Sequence, residues 1–277
     1  MKERIKVLIS SIIGIINIML HSKKGILQYY PKASKGVTLR ILGNGKSIND
    51  VNLGETSGDN EYMVVNRHVL ADNYQIIKPQ YYLLADPHFF SHPEGLSVLR
   101  KINDLTKWKM ILYLPYSGCD LELIKSIITN KKIDVIPYNM CSYSEQFYLS
   151  SFFYEHQLAM PQVQNVIVAA IMIGIVRRFD IIELYGVEHN WLANLYVGDD
   201  NLVYLRNTHF FDKQIVKPKP QRDIQHLKEY PLHQNIQDYA RMFKSYWEIK
   251  KYLEHSNSQT KIINKTKGSF IDAFERK

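Results

Sequence analysis

Short, continuous apolar runs alternate with amphipathic stretches along most of this chain, and each run halts at Gly, Pro, Asn or Asp. Residues 37–42, 62–65, 81–85, 109–114 and 133–136 are rich in Val, Ile, Leu and Tyr and are too short for helices, so they read as strands. Residues 164–176 are apolar all round and predict a long buried helix, and 181–185 predict a further strand that stops at Gly186. Strands without polar alternation, separated by helices, imply a mostly parallel sheet covered on both faces. The predicted class is α/β, with a helical, lid-like C-terminal segment.

The two ends break this alternation. Residues 7–20 form an apolar run interrupted by Ser10, Ser11 and Asn17, with Lys2, Arg4 and Lys6 before it and Lys23 and Lys24 after it. The run falls below the roughly 20 residues of a bilayer span, and no small-residue cleavage site follows, so a signal peptide is not predicted. Two readings stay open: a helix lying on an anionic membrane surface, or a helix of the core. Residues 213–231 are basic and broken by Pro218, Pro220 and Pro231, which reads as a linker or an extended crossing segment. Tyr239, Met242, Phe243, Tyr246, Ile249 and Tyr252 then recur at helical spacing over 236–253, and 261–277 reads as a short basic helix or tail. The chain therefore divides into an N-terminal segment (1–35), a ligand-binding domain (36–212) and a C-terminal segment (213–277).

Composition narrows the classes. A hydrophobic fraction of 45% excludes a disordered polymer, and a net charge of +8 is too mild to predict a nucleic-acid partner. Cys119 and Cys141 make no disulfide framework, which points to a reducing compartment. No CxxC or HExxH occurs, and the spacing of Asp86, His88 and His92 fits no familiar cage, so no metal site is predicted.

In sheets of this kind ligands sit beyond the carboxyl ends of the strands. Those ends carry Gly43-Asn44-Gly45-Lys46-Ser47, Asn66-Arg67-His68, Asp86-Pro87-His88 and Gly186-Val187-Glu188-His189. Glycines let a backbone approach a phosphate closely. The first turn has neither Walker nor GxGxxG spacing, so an ATPase or a standard dinucleotide-dependent dehydrogenase is not supported.

The ordered set of these strand ends, followed by the apolar helix, the Gly186-Val187-Glu188 turn and the His209-Phe210 pair, resembles bacterial lipooligosaccharide sialyltransferases over about residues 37–212. A broader likeness is to the 6-hydroxymethylpterin diphosphokinase-like family (domain of unknown function 115). The resemblance implies a Rossmann-like domain with a lid, and metal-independent, inverting transfer of a sugar from a CMP-linked donor. It implies no cofactor beyond that donor substrate. Gly43, Asn44, Gly45 and Ser47 would hold phosphate and ribose, Asn66 and Asp86 the donor, and Gln164, Asn165, Gly186 and Glu188 the nucleoside. Tyr196 would donate to the leaving phosphate and His209 would be the general base, with His189 as a competitor. Asn190 stands where the family has a second phosphate-binding tyrosine, and Gln164-Asn165 replaces a Thr-Ser type pair. The implied acceptor is a hydroxyl of a bacterial surface glycan or glycolipid, which would place the protein peripherally on the cytoplasmic face of the inner membrane; self-association stays open. An ATP- and magnesium-dependent phosphotransferase and an inactive binding module of a polysaccharide assembly complex are the alternatives.

The chemistry asks for the same parts. A leaving phosphate must be stabilised by preorganised donors, with Lys46 and Arg67 the nearest cations in sequence, and an acceptor hydroxyl must lose its proton to a base of suitable pKa.

Overall fold

The computed structural model describes residues 2–53, 59–206, 210 and 216–277. Helix α1 (Lys2–His21) and a 3₁₀ turn (Ile26–Tyr29) lead into β1 (Thr38–Leu42), β2 (Asn60–Val65), β3 (Tyr81–Leu83), β4 (Met110–Pro115) and β5 (Ile133–Tyr138). Helices α2 (Tyr74–Ile77), α3 (His88–Ser91), α4 (Pro93–Leu105) and α5 (Leu121–Ile127) lie between these strands. After α6 (Phe147–Glu155) and α7 (Val166–Val176) come β6 (Ile181–Tyr185), β7 (Leu195–Val197), β8 (Val203–Leu205) and β9 (Lys219–Pro220). The chain continues through α8 (Gln221–Ile224), α9 (Leu232–His255), β10 (Lys261–Asn264) and β11 (Glu275–Arg276).

Eight strands form one parallel sheet in the order β11-β10-β6-β1-β2-β3-β4-β5. The chain steps outward from β1 to β5, then returns through α7 to place β6 on the other side of β1. A topological switch point therefore lies between β1 and β6. Both faces are covered. On one, α7 and α9 pack against Leu39, Ile41, Met63 and Ile182; on the other, α4 and its neighbours pack against Leu42, Val64, Leu84 and Leu112. Helix α7 is buried on every side, which accounts for its unbroken VIVAAIMIGIV run. At Gly174 the helix lies so close to the sheet that an added Cβ would come within 2.8 Å of Leu39 and Ile182.

Two expectations are corrected. Residues 261–277 are neither helix nor tail: β10 pairs with β6, and Ile262, Ile263, Ile271, Ala273 and Phe274 are buried. Lysines at 261, 265 and 267 masked a strand whose β-branched Ile262-Ile263 pair covers an edge that would otherwise stay open. The described part of the 213–231 linker is structured as well, because β9 joins β7 and β8 in a small antiparallel sheet and Gln221 is buried.

Helix α1 is buried along one side only. Ser11 and Ile18 are buried against Tyr143 and Cys141, whereas most of its aliphatic side chains remain about half exposed or more. No helix among the described residues is long and apolar enough to cross a membrane.

Candidate functional site

A cleft of about 300 Å³ opens at the β1/β6 switch point. Its floor is two crossing turns. The N–H of Gly43 donates to Tyr185 O (2.7 Å) and that of Gly45 to Gly186 O (2.9 Å), so the turn after β1 lies directly on the turn after β6. A Cβ at Gly43 would stand 2.2 Å from the Gly186 carbonyl oxygen, and Gly186 itself has φ +63. Close backbone approach, rather than phosphate chemistry alone, accounts for these glycines.

Glu188 reaches across that floor. Its Oε1 accepts from the Ser47 N–H (2.6 Å), while Oε2 is buried without a partner among the described residues. A Cβ on Gly45 would fall 1.4 Å from Oε2, so the turn carries glycine to make room for this carboxylate. Asn44 donates through Nδ2 to Val65 O (3.3 Å), and its Oδ1 is likewise buried and unmet. Asn66 sits at φ 52, where Asn is tolerated better than most side chains, and its Oδ1 is unmet too. All three residues line the cleft. Leaving a buried acceptor unsatisfied costs about 1–3 kcal/mol, so three of them together suit water or a ligand bearing hydroxyl or N–H donors.

The C-terminal segment holds this loop in place. Val187 N–H donates to Thr266 Oγ1 (3.1 Å), Ser269 Oγ donates to Val187 O (2.7 Å), and Phe270 N–H donates to Glu188 O (2.7 Å). His189, at φ 50, is buried, packs its ring at a tilt against Trp191 (4.6 Å between centroids) and shares a 2.8 Å hydrogen bond between Nε2 and Tyr246 Oη of α9. Burial lowers its pKa to about 3, so the ring is neutral at physiological pH and weakly basic.

The far wall is the start of α7. Asn165 caps it by accepting the Ile167 N–H (2.9 Å) and lines the cleft with Val166 and Ile167. Lys46 and Arg206 complete the lining, and among the described residues neither forms an ion pair. A second recess, lined in part by Gln164, Gln221, Tyr230 and Tyr239, adjoins the cleft and shares Asn165 and Trp191 with it.

The structure thus gathers Gly43, Asn44, Gly45, Asn66, Asn165, Gly186, Glu188 and His189 around one cleft. Ser47 contributes its backbone N–H from beneath, and Gln164 faces the adjoining recess. Two residues lie elsewhere. Asp86 is exposed and accepts from the His88 N–H (2.9 Å), serving the turn before α3. Tyr196 is about half exposed on β7, with its ring stacked on Tyr204 (5.5 Å), because the strand turns it away from the cleft. Arg67 is not in the lining either; it lies 3.7 Å from Glu94. His209 lies outside the described residues. Phe210, the next residue, donates its N–H to Asn44 O (3.0 Å) and accepts from Asn49 Nδ2 (3.2 Å). Its ring covers His68, which is fully buried with neither ring nitrogen paired among the described residues. No group of three His, Cys, Asp or Glu suited to a metal ion occurs among the described residues. Arg206, Asn194 and Trp191 were not legible as site residues, since they fall between the positions after β6 that carry the resemblance.

Fold and site together define an α/β protein with a polar, hydroxyl-seeking cleft at the switch point of a parallel sheet. No family model matches the sequence, and no curated protein does. Among solved structures the chain is similar to the monofunctional alpha-2,3-sialyltransferase Cst-I of Campylobacter jejuni, with a TM-score of 0.46 and 11% identity over 88% of this chain and 81% of that one. It is also similar to the sialyltransferase CstII, solved with a trisaccharide acceptor and CMP, with a TM-score of 0.43 and 13% identity over 86% and 85%. A third likeness is to the MAf glycosyltransferase of Magnetospirillum magneticum, with a TM-score of 0.45 and 14% identity; it covers 90% of this chain but 35% of that protein.

Proposed function

We propose that this chain is a glycosyltransferase that moves a sugar from a nucleotide-linked donor, of the CMP type, to a hydroxyl of a glycan or glycolipid. One observation carries the reading: a single cleft combines three unmet oxygen acceptors (Asn44, Asn66, Glu188) with two cations, Lys46 and Arg206. A nucleotide sugar presents the complement, with ribose and sugar hydroxyls as donors and a phosphate as the anion. The carboxylate of Glu188 suits the ribose hydroxyls, and the two cations suit the phosphate.

In the reaction the bond between the anomeric carbon and the phosphate oxygen breaks, and the phosphate keeps the electron pair. The acceptor oxygen bonds to the same carbon from the opposite face as its proton passes to an imidazole. His209 is assigned that proton because its neighbour Phe210 is tied to the Asn44 turn. His189 suits the role less well, since its Nε2 is already bonded to Tyr246 and burial depresses its basicity.

Thermal unfolding with CMP, UDP and ATP with magnesium tests the donor class, because a ligand that binds the native state raises the melting temperature. Stabilisation by CMP is expected. His209→Ala should then lower sugar transfer by roughly 10²–10⁴-fold while keeping the CMP-induced shift. Stabilisation by ATP with magnesium alone, or unimpaired transfer by His209→Ala, would overturn the proposal.

A further inference from the structure

Helix α1 is docked firmly along one side and left bare along the other. On the inner side Ser11 Oγ and Tyr143 Oη are hydrogen-bonded, and Gly14 lies so close to the Tyr143 ring that an added Cβ would stand 2.8 Å from it. The helix end is locked by Ser22 Oγ donating to Leu158 O (2.6 Å), and by Asn139, which accepts from Lys23 N–H (2.8 Å) and donates to Lys23 O (2.9 Å). Ser11 and Gly14 thus face the domain together with Ile15 and Ile18, so only part of the helix's aliphatic surface is used in docking.

The outer side carries the apolar residues. Ile5, Ile9, Ile12, Ile16 and Met19 recur at steps of four and three, with Leu20 beside them, and each is between 49% and 72% exposed. An aliphatic stripe of this length, presented by a helix whose inner face is fixed, is a built surface.

We infer that this stripe seats the protein on an anionic lipid bilayer, with α1 lying in the plane of the interface. Charge decides between lipid and a second copy of the chain. The sequence places Lys2, Arg4 and Lys6 at one end of the stripe and Lys23 and Lys24 at the other. Two copies packed through it would oppose basic residues whether parallel or antiparallel, whereas anionic headgroups complement both ends at once. Acidic groups near the helix end are already engaged, since Asp120 caps α5 and Glu122 pairs with Lys125 (2.8 Å).

The position suits a surface-acting protein. Asn139, which ties down the end of α1, follows the carboxyl end of β5, and the cleft opens at the carboxyl ends of β1 and β6. Both features therefore lie on the same edge of the sheet. β5 is four strands from β1, a separation of roughly 19 Å at about 4.8 Å per strand.

Flotation of the full chain with vesicles tests the inference without any donor, so its outcome is independent of the transferase reading. Binding to vesicles containing phosphatidylglycerol is expected, with much weaker binding to pure phosphatidylcholine. Ile9→Ser combined with Ile16→Ser should weaken partitioning by roughly 100-fold, about tenfold per half-exposed isoleucine. Lys6→Glu with Lys24→Glu should weaken it by more than about tenfold through headgroup repulsion. Ile76→Ser, on the still more exposed Ile76 of α2, should leave it unchanged. Should the isoleucine pair fail to fold, as read by thermal unfolding, the charge-reversal pair decides. The inference is overturned if the native chain ignores phosphatidylglycerol, if the folded variants bind as it does, or if the stripe proves to hold a dimer and no lipid.

Discussion

Acid should unfold this protein through two imidazoles. His68 is fully buried and His189 nearly so, and burial pulls both from an ordinary pKa of 6.5 to about 3. The native state therefore favours the neutral ring, and the unfolded chain takes up the proton first. Stability falls as pH drops through 6.5 and keeps falling until about 3. For one such group the loss between about pH 7.5 and about pH 5 is about 2 kcal/mol, and for the pair about 4 kcal/mol, a large fraction of a typical domain's stability. Urea unfolding at the two pH values measures the loss. Carboxylates add their own acid sensitivity, so the informative quantity is the difference between the native chain and His68→Leu, a variant that keeps an apolar body against Phe210. His68→Leu should recover about half of the 4 kcal/mol. If its pH dependence matches that of the native chain, the neutral buried imidazole is not the source and the reasoning fails.

Two further outcomes follow from the cleft. Gly45→Ala should expel the Glu188 carboxylate from the turn and cost about 1–3 kcal/mol through the lost Ser47 bond. Adding Glu188→Ala should cost little further stability, because the same bond is already gone, and should not restore nucleotide binding, a coupling that a double-mutant cycle in chemical unfolding and calorimetry reads directly. Lys46→Ala and Arg206→Ala should each weaken nucleotide binding by roughly tenfold or more, with little change in melting temperature, because among the described residues neither is ion-paired.

Much of this architecture is written in the chain, for physical reasons that differ from element to element. β6 could be read to the residue because Gly186, which must adopt a positive φ, ends it sharply. α7 was legible because a helix buried on all sides needs no polar face. β10 was not, since Lys261 projects to solvent and Lys265 and Lys267 follow closely, while its isoleucines close the sheet, and composition averages the two. The ring of strand-end residues was legible because parallel strands must deliver their carboxyl ends to one edge. Asp86 and Tyr196 were placed by order in the sequence alone; a turn hydrogen bond to the His88 N–H engages one, and pairing in the small sheet holds the other. Arg206 lines the cleft only because β8 folds back along β7, a tertiary event without a local signature.

The placement of Glu188 also decides how a ligand must lie. A glycine-rich turn at the end of a first strand ordinarily offers its N–H groups to a phosphate. Here the Ser47 N–H already holds a carboxylate at 2.6 Å, and the glycine beside it exists to admit that carboxylate. A phosphate seated on the same turn, about 5 Å from the carboxylate, would meet a repulsion of roughly 3 kcal/mol per unit charge at an effective dielectric of about 20. The same turn instead favours hydroxyl donors. A phosphorylated ligand gains most by swinging its anion toward Lys46 and Arg206 and leaving its ribose over Glu188. In the proposed transfer, that orientation would direct the departing phosphate toward the cations, where the negative charge of the transition state would accumulate. It also removes any need for the displaced Tyr196 hydroxyl, since two guanidinium- and ammonium-type donors replace it.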